Sequence, residues 1–457
     1  MSITDRIWIG LGVTALGYWL TQRLKKPDAV RCAAAVGVAA VCLVAVPGIM
    51  AQQGWDDHNR GQRTSARDFA RNTLESCEPN AVLICDGDND TFPLWYCQQV
   101  EGIRTDVRVI NSMLAHSSWL IQPLYRQVYE SAPLKFSLPH EAYEDGSNDI
   151  VLLHETKPGS YSLQALLEHI ADPGRNSKVM AMNGEWYNCI PTKNVYLAKP
   201  DSAFLARTGL YTPEQIAAIP DRLTWRFDKN KDNLTKSNLV ILDIVANNLW
   251  DRPIYCTSPY AHQAYLPMGQ AQREGMLYRW VPYTNANKTV FGDRLNGMNA
   301  DRSYRLLTDS LEWGSIPNDP ALDPETRSWS MIARQQYALV ARALIQEGRR
   351  AEAERALDKG LASFPDRVLT YDTDMLAYLS LYYIVGASDK AEAVGQRLLE
   401  VFENRLRYVE AFPARFRRSV AGEEQLCLQT IQRIRDIANA YHSPNLANSA
   451  GRLFSMR

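Results

Sequence analysis

Residues 81–111 read AVLICDGDNDTFPLWYCQQVEGIRTDVRVIN, and this stretch decides the fold. Ala81–Cys85 is short, wholly apolar and β-rich, the pattern of a strand buried on both faces of a parallel sheet. It stops abruptly in Asp86-Gly-Asp-Asn-Asp90. Phe92 to Val100 then has a helical pattern, Gly102 to Asp106 turns the chain, and Val107–Asn111 is a second strand. Strand, acidic loop, helix, strand is a βαβ unit, whose crossover is expected to be right-handed. Upstream, Thr64–Glu75 sets Ala66, Phe69, Ala70 and Leu74 on one helical face. Downstream, residues 117–131 look helical again. Leu239–Trp250 is a strong helix, and Arg252–Cys256 is a strand entered at Pro253, where a missing amide donor is tolerated. Between them, residues 135–235 carry strand-like runs at Ile150–Leu153, Val179–Met182 and Val195–Leu197 among Gly, Pro, Asn and Asp clusters, which predicts an irregular α+β insertion.

After residue 300 the chain turns helical. Tyr337, Ala341, Leu344, Gly348, Ala353, Leu357 and Pro365 follow the spacing of a tetratricopeptide repeat, with Gly360 where Ala is usual. A weaker second unit has Leu379, Tyr382, Gly386, Ala391 and Leu398 in corresponding places. A helical bundle without true repeats is the alternative. At the other end, Ile7–Gln22 and Cys32–Ala51 are free of charge. Twenty apolar residues span ~30 Å as a helix, the thickness of a bilayer core. Two N-terminal transmembrane helices are therefore expected, against a cleaved signal or a buried hairpin. Arg23, Lys25, Lys26 and Arg31 between them predict a cytoplasmic connector and a large domain in the periplasm, anchored in the inner membrane.

The expected fold is thus a βαβ-containing α/β domain with a mainly parallel sheet, followed by an all-α tetratricopeptide-like region. Expected boundaries are 1–55 for the membrane helices, 56–300 for the extracytoplasmic α/β domain and 301–457 for the helices. Fifty basic against 51 acidic residues leave a net charge of −1, which argues against a nucleic-acid binder with a broad basic face. The eight cysteines show no CxxC or zinc spacing. In a periplasmic domain disulfides are permitted, but buried free thiols fit most of these positions.

The acidic loop is the most unusual chemistry in the chain. Asp86, Asp88 and Asp90 alternate just past the carboxyl end of a strand, where open α/β sheets bind ligands. An EF-hand fails, because Thr91 and Cys97 stand where Gly and Glu are needed. Two ligand readings remain. One is a divalent cation on Asp86, Asp88 and Asp90, as in metal-dependent glycosyltransferases. The other is a glycan held by Asp86, Asp88, Asn89 and Asp90, with Trp95 stacking on a sugar ring. Against both stands a purely structural turn and helix cap. Arg104 or Arg108 reaching into the loop would relieve its charge without a ligand. The seven histidines fall in no recognised ligand spacing, and no GxSxG, Walker or GxGxxG motif is present.

The run Gly87–Tyr96, continued by Val100–Asn111, resembles the C-terminal portion of the domain-of-unknown-function 2723 membrane proteins of Bacteroidetes. These are classed as glycosyltransferase family 117 and are protein O-mannosyltransferase-like. Trp55–Arg60, Ser65–Ala70, Ile190–Lys193, Leu242–Tyr255 and Glu274–Pro282 extend the resemblance over most of residues 50–400. It implies a multi-spanning GT-C core using lipid-linked sugars, followed by an extracytoplasmic domain with tetratricopeptide-like helices. The family's catalytic acid is expected in an early loop of that core, to which nothing here corresponds. The chain is then expected to be a split or shortened form. It would bind an acceptor protein, a glycan or a separate multi-spanning transferase core. The alternative is a stand-alone metal-dependent glycosyltransferase acting through Asp86–Asp90.

Overall fold

A five-stranded mixed sheet organises the larger of two units, Met1–Arg63 and Thr64–Arg457. The computed structural model describes residues 12, 15, 17–19, 22–23, 27–58, 61, 63–172, 177–285, 294–318 and 322–455. In the first unit, Asp28–His58 is one helix. Its segment Val36–Trp55, 20 residues with mean hydropathy 1.8, is long and apolar enough to cross a membrane. Among the described residues it is the one such helix; the apolar stretch Ile7–Gln22 lies largely outside them.

Among the described residues of the second unit are the strands β1 (Val82–Cys85), β2 (Arg108–Asn111), β3 (Ile150–Leu153), β4 (Tyr161–Ser162), β5 (Lys178–Met180), β6 (Trp186–Ile190), β7 (Asn194–Ala198), β8 (Arg222–Arg226), β9 (Asn233–Thr235), β10 (Ile254–Cys256), β11 (Ala271–Glu274) and β12 (Leu277–Trp280). The central sheet has the order β11-β12-β10-β1-β2. β1 pairs in parallel with both β2 and β10, placing Leu83 beside Val109 and Tyr255. The hairpin β11–β12 joins β10 antiparallel, so the sheet is mixed rather than mainly parallel. Residues 271–280 carry no turn signal beyond Gly275, whose φ of +57° fits the tight turn.

Alternation along β1 sorts the layers. Val82 and Ile84 join a core with Leu239, Ile241 and Ile244 of the Lys236–Asn248 helix. Leu83 and Cys85 join a second core with Ala70, Leu74, Leu94 and Cys97, from helices Ser65–Glu75 and Asp88–Gln99. The insertion forms two small sheets, β5-β6-β3-β9 and β4-β7-β8. Residues 117–131 do not form the expected helix: Ser118–Ile121 makes one turn and Gln122–Tyr125 a 3-10 turn, because Pro123 supplies no amide.

The described residues from 322 onward form the helices Pro324–Gln346, Arg350–Ser363, Met375–Val385, Ser388–Glu410, Arg417–Ala440 and Pro444–Ser455. Gly348 and Gly386, at φ +78° and +93°, end the first and third. A Cβ on Gly360 would stand 2.3 Å from Tyr378 Oη and 2.8 Å from Tyr337 Cβ, so the helices cross where only glycine fits. Helix Ser65–Glu75 serves the second of these cores and also a third, that of the C-terminal helices, which includes Phe69, Trp313, Tyr337 and Phe364. Ala70 and Leu74 face the sheet, while Phe69 meets Trp313 edge-on at 5.2 Å. Asn72 Nδ2 donates to the Glu312 carbonyl at 2.7 Å, and Glu312 N donates back to Asn72 Oδ1 at 3.1 Å. Among the described residues none of the eight cysteines forms a disulfide.

Candidate functional site at the carboxyl end of the sheet

β1 leads through its helix to β2 on one side, and the return through Lys236–Asn248 places β10 on the other. The crevice between the ends of β1 and β10 is therefore a topological switch point, the place where open sheets bind ligands. Asp86 leaves β1 into it, and Thr257 and Ser258 leave β10. A cavity of about 260 Å³ opens there. Its apolar wall includes Phe69, Leu94, Met276, Trp329 and Ile332, and its polar lining includes Asp86, Asn89, Asp90, Thr257 and Ser258. Trp329 is set by an edge contact with Phe69 at 5.3 Å.

Asp86 is the best positioned of these groups. Ser112, just past β2, donates its hydroxyl to Asp86 Oδ1 at 3.1 Å. His262 Nε2, 98% of its side chain out of solvent, lies 2.9 Å from the same oxygen, without the alignment of a hydrogen bond. Behind it, His262 Nδ1 and Tyr265 Oη are 2.7 Å apart, which fixes the ring. The other oxygen, Asp86 Oδ2, is buried and has no hydrogen-bond partner among the described residues. A buried carboxylate oxygen left so is costly, and a donor supplied by a ligand relieves it.

The rest of the acidic segment divides. Asp88, Asn89 and Asp90 are not loop residues but the first turn of helix Asp88–Gln99, begun four residues earlier than its apolar pattern indicates. Its N-cap, Gly87, has no side chain to cap with, so first-turn carboxylates face the free amides and the dipole. Asp90 Oδ2 accepts from Thr257 Oγ1 at 3.3 Å. Burial holds its carboxyl above the ordinary Asp range, the Thr257 bond opposes this, and the charges of Asp86 and Glu325 add to it. Asn89 Nδ2 donates to Glu325 Oε1 at 3.2 Å. Its carbonyl takes no intrahelical bond from Pro93, which lacks an amide hydrogen. Asp88 is exposed, with only a 3.5 Å approach from Asn111 Nδ2.

Three sequence expectations meet these facts. Among the described residues no three His, Cys, Asp or Glu side chains form a group suited to a metal ion, and Asp86, Asp88 and Asp90 are no exception. Trp95 does not line the acidic crevice. It lines a separate cavity of about 240 Å³ with Gln98, Trp119 and Tyr129, and Trp329 is the indole at the acidic site. Arg104 and Arg108 do not reach the carboxylates; both are spent on backbone carbonyls and, for Arg104, on Asp106. Sequence reading missed Ser112, Thr257, His262 and Trp329. The first three follow β2 and β10, so the signal was the parallel neighbour strand, whose carboxyl end shares the crevice.

A family model described as TMEM260-associated domain 2 matches residues 66–301, the sheet-bearing part. It is a different family from the domain-of-unknown-function 2723 and glycosyltransferase family 117 proteins. No curated protein and no solved structure matches the chain.

Proposed function

The chain belongs to the TMEM260-associated domain 2 family, and from that premise we propose that it is the membrane-anchored, ligand-binding part of a protein glycosylation system, with the switch-point crevice taking a hydroxyl-rich glycan. One observation carries the glycan reading: Asp86 Oδ2 is buried, without a partner among the described residues, beside an apolar wall that includes Trp329. Sugars match that pairing, because their hydroxyls donate to carboxylates while their C–H faces stack on indoles. The long sequence resemblance to protein O-mannosyltransferase-like membrane proteins supports the same reading. It adds a separate multi-spanning transferase core and an acceptor protein as partners. In this reading the Val36–Trp55 helix and the apolar stretch before it anchor the chain in the inner membrane, with the large unit in the periplasm. The C-terminal helices are tetratricopeptide-like and serve the acceptor; Tyr337, Ala341, Leu344, Ala353 and Leu357 are all buried where repeat packing requires them.

The test is saturation-transfer NMR of the full chain in detergent with methyl mannosides and short mannose oligosaccharides. Saturation of ring protons in the parent chain, lost in Asp86→Asn, is the expected result. Equal signals from parent and variant, or none from any sugar, would remove the glycan from the crevice. Signals that appear only with added manganese would instead favour a metal-dependent transferase.

A further inference from the structure

Far along the chain from the crevice residues, the end of helix Ser388–Glu410 and the turn into Arg417–Ala440 gather a different chemistry. Residues 405–418 read RLRYVEAFPARFRR, five arginines against one acid, Glu410. The inner face of this tip is settled: Leu406 and Val409 are each 4% exposed. The outer face is aromatic. Tyr408 is 68% exposed and Phe416 45%. Phe412 packs edge-on to Tyr408 at 5.2 Å, and Arg415 lies over the Phe416 ring at 4.8 Å. Arg405 is bound to Asp372 and Arg407 to Glu403, but no carboxylate pairs with Arg415 or Arg418 among the described residues. Single exposed aromatics are ordinary, whereas three rings on one helix end and turn, beside guanidinium groups with no carboxylate partner among the described residues, suit a contact surface.

We propose that this tip docks on the headgroup layer of an anionic phospholipid bilayer, arginines on lipid phosphates and the rings of Tyr408, Phe412 and Phe416 at headgroup depth. Guanidinium groups pair with phosphate as planar forks, and aromatic rings concentrate at the membrane–water interface. The chain's near-neutral total makes the local excess of charge meaningful, because it is not part of a general basic face. A bilayer is also the partner that the chain's own membrane-length helix would keep within reach, so a weak surface contact suffices. The proposal does not rest on the glycan reading of the crevice.

Hydrogen–deuterium exchange of the full chain in lipid nanodiscs tests it. Two disc types are compared, neutral phosphatidylcholine and the same lipid with about 30 mol% phosphatidylglycerol, each arginine near an anionic surface being worth about a fivefold gain in occupancy. Peptides covering residues 408–418 should exchange at least about fivefold more slowly in the anionic discs, and the difference should vanish at ~0.5 M salt. An Arg415→Glu and Arg418→Glu double variant should lose the protection. Phe416→Ser, which keeps every charge, should lose part of it. Equal exchange in the two discs overturns the proposal. So does equal protection in neutral discs with inorganic phosphate, which would make the site one for a soluble anion. Protection in neutral discs by polyglutamate, an acidic polypeptide, would point to a protein partner and likewise overturn it.

Discussion

The two ends of the central sheet bury charge in opposite ways. At the amino end, Arg108 opens β2 and Arg252 stands two residues before β10, each 5% exposed. Neither has a carboxylate partner among the described residues, yet every guanidinium nitrogen is engaged. Arg108 donates to the carbonyls of Pro123, Arg126, Ser131 and Ala132 and to Ser131 Oγ. Arg252 donates to the carbonyls of Asn80 and Ala132 and to Ser131 Oγ. Burial pushes both down to about 10, with Arg108 adding to the effect on Arg252. At the carboxyl end, Asp86 has one oxygen held by Ser112 and close to His262, and the other has no partner among the described residues. A fully answered buried charge ties segments together. A half-answered one stores an unmet bond that a ligand can complete.

Removing each charge breaks or sharpens this contrast. The largest effect is expected at the amino end. Arg252→Ala takes the donor from the Asn80 carbonyl, leaves the Ala132 carbonyl and Ser131 Oγ with Arg108 alone, and opens a void the size of its side chain, at ~1–3 kcal/mol for a group left unsatisfied. The whole change should destabilise the chain by roughly 3 kcal/mol, read as a drop in the chemical-denaturation midpoint. An unchanged midpoint would mean that water takes over those carbonyls, and the amino end would no longer differ from the carboxyl end.

Asp86→Asn is the matching change at the other end. It keeps an acceptor for Ser112 and removes the unanswered charge, so stability should stay within about 0.5 kcal/mol or rise. Glycan affinity should fall about tenfold, the worth of one charge-assisted hydrogen bond. Calorimetric titration and thermal unfolding on the same sample separate the two effects. A variant that unfolds instead would place Asp86 among the structural charges.

How much of this was legible in the sequence depends on the range of the interaction. The apolar run Ala81–Cys85, the crossover and the strong helix before β10 were legible, because each depends on local periodicity. So was the position of Asp86 at a strand end. The hairpin β11–β12 was not, since residues 271–280 carry polar and charged side chains that are buried only through distant partners such as Glu274 with Tyr255, Asn299 and Arg302. Nor was His262 legible: its meaning comes from β10 lying beside β1, a pairing of residues more than 160 positions apart. The Trp95 expectation failed for a geometric reason. Helix Asp88–Gln99 turns its side chains around the axis, so Asn89, Asp90 and Pro93 face the acidic crevice while Trp95 faces the other cavity.

The smallest expected effect concerns Asp90, and its sign is the sharpest test of the carboxyl end. Burial, aided by the charges of Asp86 and Glu325, favours the protonated form in the folded chain, against the bond from Thr257. A carboxyl raised above its ordinary 3.8 withdraws stability as the pH climbs from that value through the raised one, and the loss persists above it. Asp90→Asn removes that loss while leaving an acceptor for the Thr257 hydroxyl. The variant should therefore match the parent near pH 3 and unfold at a higher temperature than the parent at pH 7. Thermal unfolding of both chains at pH 3, 5 and 7 reads the sign directly. A lower midpoint for Asp90→Asn at pH 7 would mean that the charge is stabilised by the helix amides it faces. Asp90 would then count among the answered charges of the sheet, and Asp86 Oδ2 would remain the unmet group that a ligand completes.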